Sequence, residues 1–404
     1  MTLNDRDNRP IRYVPQPNRT TRPFGRFFHP TRAVLVPSHN GADLRRLKSS
    51  RWSSRASRKS RYLQATVPFS RNVPVAPPPS TAEKERAQSP SGTPTKEHGL
   101  PGQITIENQR LKYPYSQLRP TLRWDVSFWV AVMFVLGSAA WICNGQLLYT
   151  PLSPTPSPTH ANAAAWVAFV GGSLFEVGAY LGYVEALNAG HEEMFSELRR
   201  AVRDVEKDGP ESESESLDDL VRKEKKDRNR KDSFRWTGTG SPRDIGYLAA
   251  LIQLFAASIF WVSTLTGLPN VIPSLATAWP PSAITTIFYW TPQVIGGIGF
   301  IISSLLLTLE EQKTWWGIEL RRIGWHVGFW NLIGAVGFTM CGALGYASTA
   351  STKANYQSVL STFWASWAFM IGSVAQLWEV IWREPNDSSK KKPQDRSDNG
   401  KSQP

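Results

Sequence analysis

An all-α, polytopic bundle of six membrane-spanning helices is the fold class this chain predicts, and three observations predict it. Six apolar segments of 20-odd residues lie between positions 126 and 382. The connections between them alternate between nearly charge-free and strongly basic. Tryptophans gather at the two ends of the segments, with Trp124, Trp315, Trp316, Trp325 and Trp382 at one and Trp166, Trp279, Trp290 and Trp364 at the other, as aromatic belts do at membrane interfaces.

The spans are expected at 126–148, 163–187, 245–268, 284–309, 324–347 and 359–382. At 1.5 Å per residue each is about 35 Å long, enough for a hydrocarbon core of about 30 Å with some tilt. Strands are excluded on length, and open sheet edges would leave backbone groups unpaired in lipid. The mean hydropathy of −0.31 hides this, since it averages apolar spans with polar arms. The formal net charge of +13 comes from those arms and describes what they touch.

Orientation follows from the loops. Residues 149–162 and 269–283 carry no Lys, Arg, Asp or Glu, and 348–358 carries only Lys353. The amino-terminal arm, the 188–244 loop, Arg321-Arg322 and the Lys390-Lys391-Lys392 tail are basic, so both termini and the even loops are expected in the cytosol. Which membrane holds the chain is not encoded. Plasma membrane, vacuole and endoplasmic reticulum all fit, and the external loops carry no N-x-S/T sequon.

Residues 1–120 show no period of 2 or 3.6 and are broken by prolines, so a disordered basic cytosolic arm is expected. A mitochondrial presequence is the weaker reading of its Arg- and Ser-rich start, against which Asp5, Asp7 and the prolines count. Its densest stretch sets Arg45, Arg46, Lys48, Arg51, Arg55, Arg58, Lys59 and Arg61 among serines. Such a cluster adsorbs to anionic lipid headgroups at about 1 kcal/mol per basic residue near the surface. The serines follow basic residues at kinase-like spacing, so phosphorylation would cancel that attraction. A plainly solvated tail is the competing account, and nucleic acid is not expected as a partner of a chain anchored by six helices.

The remaining divisions are hairpin 1 at 121–187, a cytosolic loop at 188–244, hairpin 2 at 245–309, a short loop and hairpin 3 at 310–382, and a disordered cytosolic tail at 383–404. Within the long loop, 192–207 spaces Phe195, Leu198, Val202 and Val205 as an amphipathic helix. Beyond it an acid- and serine-rich block meets a basic run, a solvated linker or a phospho-regulated docking site.

The spans pair into three similar hairpins. Each opens just after an arginine (Arg123, Arg243, Arg322) and closes on a glutamate (Glu185, Glu310, Glu379). Ten residues before each glutamate stands a phenylalanine: Phe175, Phe300, Phe369. The first helix of each pair carries a small residue four before an aromatic: Gly137 and Trp141, Ala256 and Phe260, Gly334 and Phe338. Small residues let membrane helices approach, and the glutamates are placed to pair with nearby Lys or Arg. Coincidence in a chain rich in Phe and Trp is the alternative.

Glu176 is the acid that this pattern leaves over. It lies about 16 Å into the second span, where a carboxylate is costly. With Gln253, Asn331 and Gln376 it could line one polar pocket open to the cytosol. Hydrogen-bond glue between helices is the simpler account of the three amides. Cys143 and Cys341 are too few for a disulfide framework or a zinc site, though a contact between them is conceivable at their matching depths. His191 and His326 read as interfacial polar residues. No P-loop, GxSxG elbow or dinucleotide fingerprint occurs in a credible setting, so neither an enzyme nor a cofactor is expected.

The stretches WHVGFWNLIGAVGFTMCGALGY (325–346) and FWASWAFMIGSVAQLWEV (363–380) resemble uncharacterised fungal integral membrane proteins, and the Trp/Gly/Phe hairpins resemble the YrhK-type membrane domain of bacteria. The resemblance covers at most 120–382 and implies no activity. Two functions stay open: a non-enzymatic membrane protein organising lipids or cytosolic protein partners through its arms, and a small-solute or ion transporter, proton-linked through Glu176. Nothing in the sequence sets the oligomeric state.

Overall fold

The structure is a computed structural model, and it describes residues 12–15, 27–38, 50–59, 67–70, 103–106, 118–149, 158–189, 234–273, 275 and 280–383. Three antiparallel strands, β1 (Arg12–Pro15), β2 (Arg32–Ser38) and β3 (Ser50–Ser53), form one small sheet in the order β1-β2-β3 and lead into a single helical turn, α1 (Ser54–Arg58). β4 (Val67–Ser70) pairs with β5 (Gln103–Ile106). The six long helices follow: α2 (Val126–Tyr149), α3 (Pro158–Leu187), α4 (Ile245–Thr266), α5 (Ala283–Glu311), α6 (Ile323–Gly345) and α7 (Thr352–Ile381). All six are long and apolar enough to cross a membrane, which makes this an integral membrane protein with an all-α bundle.

The helix boundaries differ from expectation where caps override hydropathy. α7 begins seven residues early because Ser351 extends its side chain to the Ala354 amide, capping a polar first turn. α3 begins five residues early on Pro158, whose fixed φ and missing N–H suit a first helical position. Inside α5 the turn Thr286–Trp290 widens to a π-helix. The Thr266 hydroxyl bonds the Phe288 carbonyl there at 2.6 Å, a partner for a group the wider turn frees.

Each long helix packs on its chain neighbours, and α7 returns against α2, so the six close into a ring. Aromatic rings fill its middle. Trp141, Phe260 and Phe338, one from the first helix of each hairpin, meet with centroids 4.9–5.8 Å apart. Phe175, Phe300 and Phe369 from the second helices join them, with Phe369 5.4 Å from Phe175, 6.3 Å from Phe300 and 5.1 Å from Phe338. All six belong to one buried cluster. Such pairs contribute about 0.5–1.5 kcal/mol each beyond area burial.

The small residues explain how the rings fit. A Cβ on Gly137 would strike the Phe175 ring, and one on Gly334 would lie 2.5 Å from the Phe369 ring. In hairpin 2 Ala256 takes the corresponding place, in contact range of Gly299. Matching positions of hairpins 1 and 3 thus do the same packing, whereas in hairpin 2 the close approach is between Ala256 and Gly299. Behind the last helix β7 (Trp382–Arg383) pairs with β6 (Arg119–Pro120), and buried Arg383 ion-pairs with Asp125 at the head of α2.

The arm departs from its expected disorder at 12–15, 27–38, 50–59, 67–70 and 103–106, and 27–38 and 50–59 reach the bundle. The Thr31 carbonyl accepts the Ser54 amide at 2.9 Å, the Arg243 carbonyl accepts the His29 amide at 2.8 Å, and Ser53 to Lys59 are buried. Composition predicted a disordered arm, lipid-adsorbing or solvated, because it counts charge without its partners.

Candidate functional site

α1 carries Arg55, Arg58 and, at its end, Lys59 at spacings i, i+3 and i+4, which put three cations on one side of a single turn. The ends of the three hairpins supply three carboxylates to meet them. Arg55 bonds Glu379 through Nε at 3.1 Å and Nη2 at 3.0 Å. Arg58 grips Glu310 as a fork, Nη1 to Oε1 at 2.8 Å and Nη2 to Oε2 at 2.7 Å. Lys59 Nζ reaches Glu185 Oε2 at 3.1 Å. One cation therefore serves each hairpin.

Cross-links tie the pairs into a network. Arg55 lies 4.0 Å from Glu310 and 3.9 Å from Glu311, and Arg58 lies 3.8 Å from Glu185. Glu311 also pairs with Arg322 at 3.0 Å and Arg32 at 3.6 Å. The Ser54 hydroxyl donates to Glu310 Oε1 at 3.0 Å. Side chains of Arg55, Glu310 and Glu379 are at most 2 % exposed.

The helix starts make room for this. Ser127, Gly246 and Gly324 are the second residues of α2, α4 and α6. A Cβ on Gly246 would overlap the Arg58 guanidinium, and one on Gly324 would lie 2.6 Å from Arg55 Nε. Glycine there lets each guanidinium pass over the head of the helix to its carboxylate.

Burial acts to lower the pKa of all three cations, and the carboxylates oppose it. For Arg55, Glu379 with Glu310 and Glu311 behind it more than offsets burial, and the pKa rises. For Arg58, Glu310, Glu185 and Asp244 do the same. Lys59 is the exception: burial outweighs Glu185, the neighbouring Arg55 and Arg58 add to it, and the pKa falls.

The sequence-predicted residues are redistributed. Arg55, Arg58 and Lys59, expected at anionic headgroups, are buried in ion pairs with the bundle while α1 is docked. Arg51 pairs through its backbone with Val34 in the β2–β3 ladder. Arg45, Arg46, Lys48 and Arg61 lie outside the described residues, as do the 192–207 amphipathic helix, His191 and the mixed-charge linker. The glutamates at the hairpin ends do find basic partners, but those come from α1 and not from the arginines that open the hairpins. Of those, Arg322 binds Glu311 and Arg243 lies over the Phe27 ring at 5.5 Å.

The four intramembrane polar residues do not converge on one pocket. Glu176 faces α4, where Oε1 accepts from the Ser258 hydroxyl at 2.8 Å; Oε2 is buried without a hydrogen-bond partner among the described residues. Just beyond, the Trp261 indole donates to Ser173 at 3.0 Å. Asn331 is buried between α6 and α7, so close to Gly372 that a Cβ there would strike its Oδ1. Gln376 is buried four residues along α7 from Gly372. By the order of the ring, the α3–α4 and α6–α7 interfaces are on opposite sides of the aromatic centre. Gln253 is half-buried on α4. Cys143 is exposed, whereas Cys341 sits 3.5 Å from the Ser358 hydroxyl, and both thiols are free. His326 bonds the Leu320 carbonyl at 2.7 Å, a structural role.

Sequence reasoning placed the three glutamates and the three cations but did not join them. The available signal was the match between one carboxylate per hairpin and three basic residues within one helical turn. No protein-family model, no curated protein and no solved structure matches this chain.

Proposed function

We propose that this is a non-enzymatic membrane-organising protein whose six-span core anchors charged arms in the cytosol, where they hold partner proteins. The observation that carries the reading is the docking of α1: three buried ion pairs fasten the arm to the ends of all three hairpins. A tail fixed that firmly holds the arm at a defined place on the bundle. The aromatic filling of the ring supports an anchor over a conduit, since Trp141, Phe260 and Phe338 occupy its middle. The expected cytosolic address of the charged end rests on the loop charges.

The test is replacement of 71–102 by a short Gly/Asn turn, which leaves the α1 socket intact and lets Ser70 and Gln103 stay paired across β4 and β5. Partners captured by cross-linking on intact cells should be lost while the bundle stays folded. An unchanged partner set, or a terminal tag protected from protease on the luminal side of sealed vesicles, refutes the proposal.

A second reading has its own observation. Glu176 Oε2 is buried without a hydrogen-bond partner among the described residues, an arrangement that suits a site taking up a proton or small cation. Glu176→Gln and Glu176→Leu both supporting normal growth of a deletion strain would leave transport without its main residue.

A further inference from the structure

We propose that Ser54 is a phosphorylation site, and that a phosphate there releases α1 from the glutamate socket. The inference rests on the cytosolic placement of the arm proposed above. Arg51 stands three residues before Ser54, the spacing that arginine-directed serine kinases select. Ser54 is also the hydroxyl at the centre of the socket: it donates to Glu310 Oε1 at 3.0 Å and is 3 % exposed.

Docked and phosphorylated are incompatible states of this residue. A phosphoserine carries about −1.5 to −2 charges at neutral pH. Docked, that charge would fall on Glu310, whose carboxylate the serine now approaches as a donor. Nearby cations are largely committed: both Nη atoms of Arg58 are engaged by Glu310, and Nε and Nη2 of Arg55 by Glu379. That leaves Arg55 Nη1, itself 4.0 Å from Glu310, which supplies too few donors for a dianion beside that carboxylate. The volume is missing as well, because Ser53 to Lys59 are all buried. A phosphate opposite like charge in a buried interface disrupts by repulsion and desolvation.

The kinase must therefore act on the undocked arm, and its product holds the arm there. The transfer is ordinary phosphoryl chemistry. In ATP the bond between the γ-phosphorus and its bridging oxygen breaks, a bond from phosphorus to Ser54 Oγ forms, ADP leaves, and the hydroxyl proton passes to the kinase's carboxylate base. No contact need be broken by the kinase itself. It depletes the undocked population, and the equilibrium follows.

Purified full-length chain in detergent micelles tests this with an arginine-directed serine kinase, ATP and a lysine-specific protease. Cleavage after Lys59 reads the undocked fraction, because that residue is 5 % exposed when α1 is seated. Phosphorylation of Ser54, located by mass spectrometry, should raise that cleavage at least ~10-fold, as the open population rises by the same factor. Ser54→Ala should show no kinase-dependent rise, and Ser54→Glu should raise cleavage without kinase. Arg55→Met, which weakens docking, should be phosphorylated at Ser54 faster than the natural chain. Phosphate on Ser54 with unchanged cleavage overturns the proposal. So does a Ser54 that stays unmodified even in Arg55→Met. Micelles leave both faces open, so release is measured whichever side the arm occupies in a cell. Terminal tagging in sealed vesicles reports the orientation separately.

Discussion

Arg55→Met isolates the contribution of one buried ion pair to this fold. The guanidinium is 2 % exposed and holds Glu379, 1 % exposed, through Nε and Nη2, with Glu310 and Glu311 at 4.0 and 3.9 Å. Methionine keeps much of the side-chain volume and removes the charge. Glu379 is then a buried carboxylate without its cation, and removing one member of such a pair costs about 3–5 kcal/mol. At roughly 2–4 °C per kcal/mol for a unit of this size, the apparent melting temperature should fall by about 6–20 °C. The loss has a ceiling, however. If docking of α1 contributes less than the lost pair, the turn leaves its socket and water reaches Glu379, so the melt records only the docking free energy.

Two readouts separate these outcomes. With the exposed Cys143 replaced by Ser, modification of the Cys341 thiol by a fluorogenic maleimide follows opening of the bundle on heating, because Cys341 is packed against Ser358. Cleavage after Lys59 at 25 °C follows departure of α1 alone. Either the melt drops by the full amount with Lys59 protected, or it drops by less with Lys59 cut. The double variant Arg55→Met with Glu379→Met should recover most of the loss, since a buried pair can be replaced by apolar groups of similar volume at little cost. A melt within 1 °C of the natural chain, together with unchanged protection of Lys59, would show that Arg55 is not the partner of Glu379.

Three further predictions follow from the same geometry. Lys59→Arg should remove an alkaline contribution to stability: the docked Lys59 has a pKa below its ordinary 10.5, so between the two values the undocked chain binds more protons and rising pH favours docking. Arginine does not titrate there, so the natural chain's melting temperature should gain on the variant's as pH rises from 8 to 10.5, and parallel curves would refute the assignment. Gly334→Leu should cost about 1–3 kcal/mol or prevent accumulation, because its side chain would enter the Phe369 ring; normal yield and melting would contradict the close approach. Asp125→Asn should lower the melt, since Arg383 is 1 % exposed and pairs with that carboxylate, whereas Arg383→Met with Asp125→Asn should restore part of the loss.

What could be read from the sequence, and what could not, divides along a physical line. The spans were readable because burial in lipid demands long apolar helices whatever their neighbours do. The repeated small and aromatic positions were readable too, and Gly137, Gly334, Phe175 and Phe369 meet as close packing requires. Hidden were the features that depend on two distant segments at once. Arg55 and Glu379 are 324 residues apart, Lys59 and Glu185 are 126 apart, and neither pair has a local signature. A basic tract with serines has the composition of a solvated tail until its carboxylates are known, so the arm's ordered turn could not be separated from the charges around it. Glu176 shows the converse. Its depth was evident, but the expected pocket needed four residues on facing sides, and helix rotation set Asn331 across the ring instead. The two sets of charge read separately in the sequence, one in the arm and one at the hairpin ends, are partners of each other. That relation also defines what the three glutamates ask of any ligand that displaces α1: three cationic groups within a single helical turn, presented from the charged end of the ring.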